Sequence, residues 1–314
     1  QRWSKFNLLQ DYELGLPEKW QLWVDFQNYY EAAWFGCPVE YIGDQVPDTR
    51  PAFSDAPERM MERGMPEPFG GIMGRAREYV DTFRERAKKE MFMGRPIEIT
   101  AASGIGTDGP MTVACNLFGP DVVCEMMAGD PDRLHRLFEF ITEATIRRMK
   151  AVRELFKVPV PQDGFGFADD SIALISTPMY REHVLPYHRK LCDTFGTAKP
   201  RSIHLCGDAT RHFKTLRDEL NIWLFDTGFP VDFTWLRKEL GPKARIHGGP
   251  HIEFLRTATP QQVREETRRI LQSGILEGGL FILREGNNLA PGTPVENTEA
   301  MYRAGREFGR RESA

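Results

Sequence analysis

From Gly129 onward the chain switches repeatedly between the hydrophobic period of helices and the short apolar runs of strands. In "GDPDRLHRLFEFITEATIRRMKAVRELF", Asp130 stands as N-cap and Pro131 at the first helical position. Leu134, Leu137, Phe138, Ile141, Met149, Val152 and Leu155 then recur at helical spacing, which predicts one long amphipathic helix. After "VPVPQDGFGFADD", the run "STPMYREHVLPYHRKLCDTFG" opens on Thr177-Pro178 and reads as a second helix, kinked at the interior Pro186. Strand "SIHLC", helix "DATRHFKTLRDEL", strand "IWLFDTG", helix "DFTWLRKELG" and strand "ARIHGG" follow in turn. Helix "TPQQVREETRRILQSG" starts on Thr259-Pro260 and stops at Gly274, and strand "GLFILRE" and helix "VENTEAMYRAGREF" finish the alternation.

Short strands separated by helices of about 10–15 residues mean βαβ units and a parallel sheet. At least five such units in a row, on a chain of 314 residues, favour an α/β fold of the (β/α)8 TIM barrel type over an open sheet. The N-terminal stretch does not share this rhythm; it is rich in aromatics and prolines, as in "QLWVDFQNYYEAAWFGCPVEYIGDQVP". It predicts an N-terminal extension over residues 1–70, packed on a barrel of residues 71–314 within a single domain.

Composition narrows the function. A formal net charge of -4 argues against nucleic-acid binding, which needs a basic surface. No apolar stretch reaches the ~18 residues of a membrane span. The opening "QRWSKFNLLQDYELG" lacks the apolar core of a signal peptide. Five scattered cysteines do not form a disulfide pattern, so a reducing cytoplasm is expected.

In a barrel, catalytic groups belong at the C-terminal ends of the strands. Those ends carry Asp169-Asp170, His204-x-Cys206, Asp226, His247 with Gly248-Gly249, and Glu285 to Asn288. Residues two apart on a strand point to the same side, so His204 and Cys206 can face the barrel mouth together. Imidazole and thiolate make a zinc-type donor pair, although a buried cysteine and a satisfied histidine are the plainer reading of H-x-C alone. Asp169-Asp170 reads either as a helix or turn carboxylate or as a group holding substrate or a metal's outer partner. Gly104, Gly106 and Gly109 match G-x-G-x-x-G behind "PIEIT". Asp108 would repel a pyrophosphate, Pro110 follows directly and no clean amphipathic helix opens there, so this segment reads as a barrel loop. The methionines at 60, 61, 65, 73, 91 and 93 read as core or lid filler.

Four segments occur in order: "FADDSIALISTPMYREHVLPYHRKL", "IHLCGD", "RIHGGPHIEFL" with "TPQQVREETRRIL", and "APGTPVENTEAM". As a set they resemble the uroporphyrinogen decarboxylase superfamily from about residue 95 to the C-terminus, and that resemblance implies a single (β/α)8 barrel. Its decarboxylases work without metal and carry an Arg-rich "RQAGRY"-type segment, which does not occur here. Its other branch, corrinoid-linked methyltransferases, has an H-x-C zinc pair that His204 and Cys206 match. In the coenzyme M methyltransferases a cysteine before "PGTPxEN" is a third ligand; here that position is Asn287.

The resemblance therefore implies a zinc methyltransferase that moves a methyl group between a small substrate and a corrinoid (cobalamin) on a partner protein. Glu285 is the expected replacement ligand, with Asp170 and His251 on the same rim; a carboxylate would suit an oxygen substrate, hence O-demethylation of a methoxylated compound. Asp170 and Asp208 are the expected catalytic carboxylates, and Asp169, Tyr180, Asp226, His251 and Asn287 the expected substrate contacts. Two alternatives stand beside it: a metal-free decarboxylase-like lyase working through Asp170, and a barrel that binds a small molecule without turnover.

Overall fold

The computed structural model describes residues 17–43 and 46–309 as two compact units, residues 17–199 and residues 200–309. The opening segment on which the signal-peptide expectation rests lies outside the described residues.

The first unit contains β1 (Trp20–Val24), α1 (Tyr30–Phe35), α2 (Ile72–Ala87), β2 (Arg95–Ala102), α3 (Pro110–Phe118), α4 (Pro120–Gly129), α5 (Pro131–Leu155), β3 (Gly166–Ala168) and α6 (Leu185–Phe195). β1 runs parallel to β2 with Leu22 opposite Ile99, so residues expected in an extension form a strand of the sheet. Leu22 and Trp23 are exposed, which blurs the alternation that marks a half-buried strand. Residues 107–109 pair in parallel with β3, through Gly109 N–H to the Ala168 carbonyl (2.6 Å) and Ala168 N–H to that of Thr107 (3.2 Å).

Prolines start α3, α4 and α5, where a missing N–H costs no helical bond. α5 follows its sequence pattern: Asp130 accepts from Arg133 N–H (3.1 Å), and Leu134, Leu137, Phe138, Ile141, Met149 and Val152 are buried. The kink expected at Pro186 appears as a π-turn over Tyr180–Val184 that leads into α6. Arg148 and Glu31 form a buried ion pair, with the guanidinium about 5 Å from the rings of Tyr30 and Trp34. Glu31 also accepts from Thr107 Oγ1 (2.7 Å) and Asp108 N–H (2.8 Å), so the pair fixes the loop before α3.

The second unit alternates regularly: β4 (Arg201–Leu205), α7 (Phe213–Leu220), β5 (Ile222–Thr227), α8 (Phe233–Leu240), β6 (Arg245–Gly248), α9 (Ile252–Thr257), α10 (Pro260–Ile270), β7 (Phe281–Leu283) and α11 (Val295–Phe308). The four strands are parallel neighbours in chain order. Asp232 caps α8, and Thr259 with Gln262 makes a capping box on α10. α10 runs on into a π-turn, where Gly274 adopts φ 90° and ends the helix as its sequence predicts. Ile203, Phe225 and Ile246 are buried on one face of the sheet. Their successors His204, Asp226 and His247 stand in register on the other, level with Ile282. Among the described residues no helix is long and apolar enough to cross a membrane, and none of the five cysteines forms a disulfide.

Candidate functional site

The register of the second unit sets His204 beside Asp226. His204 Nδ1 lies 2.9 Å from Asp226 Oδ2, and its Nε2 lies 3.1 Å from Cys206 Sγ. Burial alone would raise the pKa of Asp226, but the His204 hydrogen bond and the charges of His204, Arg284 and His247 outweigh it. The carboxyl is held below its ordinary value. An ionised Asp226 can only accept, so His204 Nδ1 carries the hydrogen of that contact, and Nε2 is the ring nitrogen turned toward the sulfur.

The segment after β7 completes the cluster. Arg284 Nη1 donates to both oxygens of Asp226 (3.2 and 3.1 Å), and Asn287 Nδ2 donates to Cys206 Sγ (3.0 Å). Two glycines permit this approach. A Cβ on Gly228 would stand 2.7 Å from Cys206 Cα, and one on Gly249 would stand 1.9 Å from the Arg284 carbonyl oxygen.

These groups suit zinc. A carboxylate that fixes the tautomer of a ligating imidazole is the usual outer partner of a zinc histidine. Zn–N of 2.0–2.1 Å and Zn–S of 2.3 Å in a tetrahedral site imply an N···S separation of about 3.5 Å. His204 and Cys206 would part by only a few tenths of an ångström. Asn287, at the position where the resemblance puts a third cysteine ligand, stands against the sulfur as a hydrogen-bond donor.

Glu285 does not take the place expected of it. Its Oε1 accepts from Arg284 Nη2 (3.1 Å), and its side chain lines a separate cavity of about 390 Å³ with Phe281, Leu283 and Met301. Among the described residues it does not come within ligand-sharing distance of His204 and Cys206. Arg284, adjacent in sequence and opposite in charge, draws the carboxylate away. His251 uses Nδ1 to accept from Glu253 N–H (2.9 Å) and so caps α9. Asp208 is exposed, and its carbonyl accepts from Arg211 (2.7 Å).

In the first unit, Asp169 is fully buried rather than open to a substrate. It accepts from Thr112 N–H (2.7 Å) and Met111 N–H (3.3 Å) at the start of α3, and contacts His188 Nε2 at 2.7 Å. Tyr180, also expected to meet substrate, is buried with its hydroxyl 3.1 Å from His188 Nδ1. A helix does open behind Gly109, contrary to the sequence reading, and the chain's own Asp169 fills its N-terminus. A Cβ on Gly109 would come within 2.2 Å of that carboxylate. Asp170, half-buried, opens the 3-10 turn Asp170–Leu174.

Sequence reasoning gave no role to Arg284 or His188, and placed His247 at a strand end without assigning it a task. For His247 a signal was present: "IHL" and "IHG" place an isoleucine-histidine pair at the same step of two strands.

Comparison with known proteins agrees with this setting. A family model described as "Uroporphyrinogen decarboxylase (URO-D)" matches residues 24–308. A methylated-thiol–coenzyme M methyltransferase of Methanosarcina mazei is 28% identical over 299 residues, 90% of this chain and 71% of that protein. A uroporphyrinogen decarboxylase of Pelobacter propionicus is 27% identical over 66% of this chain and 60% of its own length. The methylcobamide:CoM methyltransferase MtaA of Methanosarcina barkeri is 24% identical over 65% and 57%. The matches thus span less than two thirds of the last two relatives. In fold, the chain is similar to a solved methyltransferase from Methanosarcina mazei, with a TM-score of 0.60, 19% identity and coverage of 92% and 81%.

Proposed function

The chain belongs to the uroporphyrinogen decarboxylase family and has its (β/α)8-barrel fold, and on that premise we propose that it is a zinc-dependent methyltransferase. In this reading it moves a methyl group between a small, methoxylated substrate and a corrinoid carried by a partner protein. The observation that carries the reading is the His204–Cys206 pair, 3.1 Å apart, with the imidazole anchored from behind by Asp226. Two of the relatives are named methyltransferases, and the name of one includes methylcobamide.

His204 Nε2 and Cys206 Sγ would hold the metal, leaving positions for a further donor and the substrate. Zinc there would supply Lewis acidity, favouring the anion of the oxygen or sulfur that bears the methyl group. The chain's own residues prepare that place. Asp226 fixes the tautomer and angle of His204, Arg284 holds Asp226, and Asn287 donates to the sulfur of Cys206. Asp170 and Asp208 would serve as the catalytic carboxylates, and a reducing cytoplasm would keep the sulfur of Cys206 reduced.

Metal analysis of the purified chain tests this reading. The expected result is about one zinc per chain, lost in His204→Ala and in Cys206→Ala. A folded wild-type protein that takes up no zinc sinks it, and carbon dioxide released from a porphyrinogen by that protein supports the lyase instead. Offered reduced corrinoid protein, the zinc form should demethylate a methoxyarene. Reaction with a methylated thiol alone would keep the methyltransferase and overturn its oxygen preference.

A further inference from the structure

His204, Asp226 and His247 leave the same face of three neighbouring parallel strands in one register layer. Adjacent members of such a layer are about 4.8 Å apart at the backbone. The other ionisable groups named so far already have work. His204 and Cys206 are the metal donors, and Asp226 is divided between His204 and Arg284. Glu285 is turned to Arg284.

His247 is different. Its carbonyl accepts from Thr227 Oγ1 (2.9 Å), but its ring nitrogen Nε2 is buried and has no hydrogen-bond partner among the described residues. A buried polar nitrogen left unsatisfied is costly, and a ligand hydrogen would recover that cost.

We infer that His247 Nε2 takes up the proton of the substrate's thiol or hydroxyl as that group becomes the anion between which and the corrinoid the methyl moves; this rests on the methyltransferase reading. The X–H bond breaks with its electron pair left on X, and an N–H bond forms at Nε2. In the demethylating direction, the X that has lost its methyl takes the same proton back.

The charged groups facing His247 fit this role. Burial lowers its pKa, Asp226 opposes that, and Arg284 and Arg245 add to it. The free site therefore presents a neutral imidazole at pH 7. Arrival of an anion reverses the balance, because an opposite charge alongside favours imidazolium.

Calorimetry of 2-mercaptoethanol binding to the zinc-loaded full chain tests this at pH 7 in two buffers of different ionisation heat. Wild type should release about zero protons to the buffer and His247→Gln about one, at equal zinc content. Turnover of the variant should fall about 10²–10⁴-fold, the usual worth of a positioned acid or base. A second measurement uses the unaltered protein: on adding the thiol, the 15N resonance of His247 Nε2 should move from that of a bare ring nitrogen to that of a protonated one. Equal proton release by both proteins, or an unmoved resonance with zinc and thiol bound, overturns the inference alone. A wild-type chain that holds neither zinc nor thiol takes the methyltransferase reading down with it.

Discussion

Asp226 serves two partners, since its oxygens fix His204 and receive Arg284. Asp226→Asn keeps the size of the side chain but loses its charge and half of its acceptor capacity. Zinc affinity should fall about 10–100-fold, as for other outer partners of metal ligands, which competition with a chelator would measure. The other decisive pair lies in the first unit. Glu31 and Arg148 are buried together, so removing one partner strands the other's charge. Glu31→Ala should cost about 3–5 kcal/mol in denaturant unfolding, whereas Glu31→Leu combined with Arg148→Met should recover most of that. A folded, undiminished Glu31→Ala protein would show that water reaches Arg148.

The elements divide by how far their signals lie apart along the chain. α5 and α10 were legible because cap, proline start and apolar period sit within a few residues of one another, α8 by its Asp232 cap and period, and α11 by its period alone. β1 was not, because Leu22 and Trp23 face solvent and its identity depends on pairing with a strand some 75 residues away. The His204–Cys206 pair was legible as a two-residue spacing, while Arg284 with Asp226 and His188 with Asp169 depend on register and packing that no local window contains. Capping on α10 predicts that Thr259→Ala costs about 1 kcal/mol by thermal unfolding and Thr259→Ser little. Near the start of α5, Glu58 accepts from Arg133 Nε (2.5 Å), and that bond holds its carboxyl below the ordinary value. A depressed carboxyl stabilises above its unfolded pKa and ceases to do so as pH falls through its folded one. Glu58→Gln should therefore lower the melting temperature at pH 7, and the difference should shrink as pH falls through the folded-state pKa of Glu58. A pH-independent difference would assign the effect to packing.

For the whole molecule, the alternation and length read from the sequence were sufficient for the barrel class, which family membership bears out. What a linear reading could not supply was the chemistry between strands, because one-step differences in register decide which side chains meet. A metal held by the folded chain and not by the unfolded one must stabilise the fold. Free zinc at a hundredfold excess over its dissociation constant should add about 2.7 kcal/mol. Melting curves with zinc and with chelator should differ for wild type and coincide for His204→Ala.

Arg284 touches Asp226, Asp226 touches His204, His204 touches Cys206, and Cys206 touches Asn287, three residues along the chain from Arg284. The main chain from 284 to 287 joins the two ends, so these contacts form a closed circuit rather than a row of separate bonds. Removing Arg284 or removing Asn287 opens the same loop. In a double-mutant cycle the combined loss of metal affinity should fall well short of the sum of the two single losses. A circuit already open at one point has little more to lose at a second.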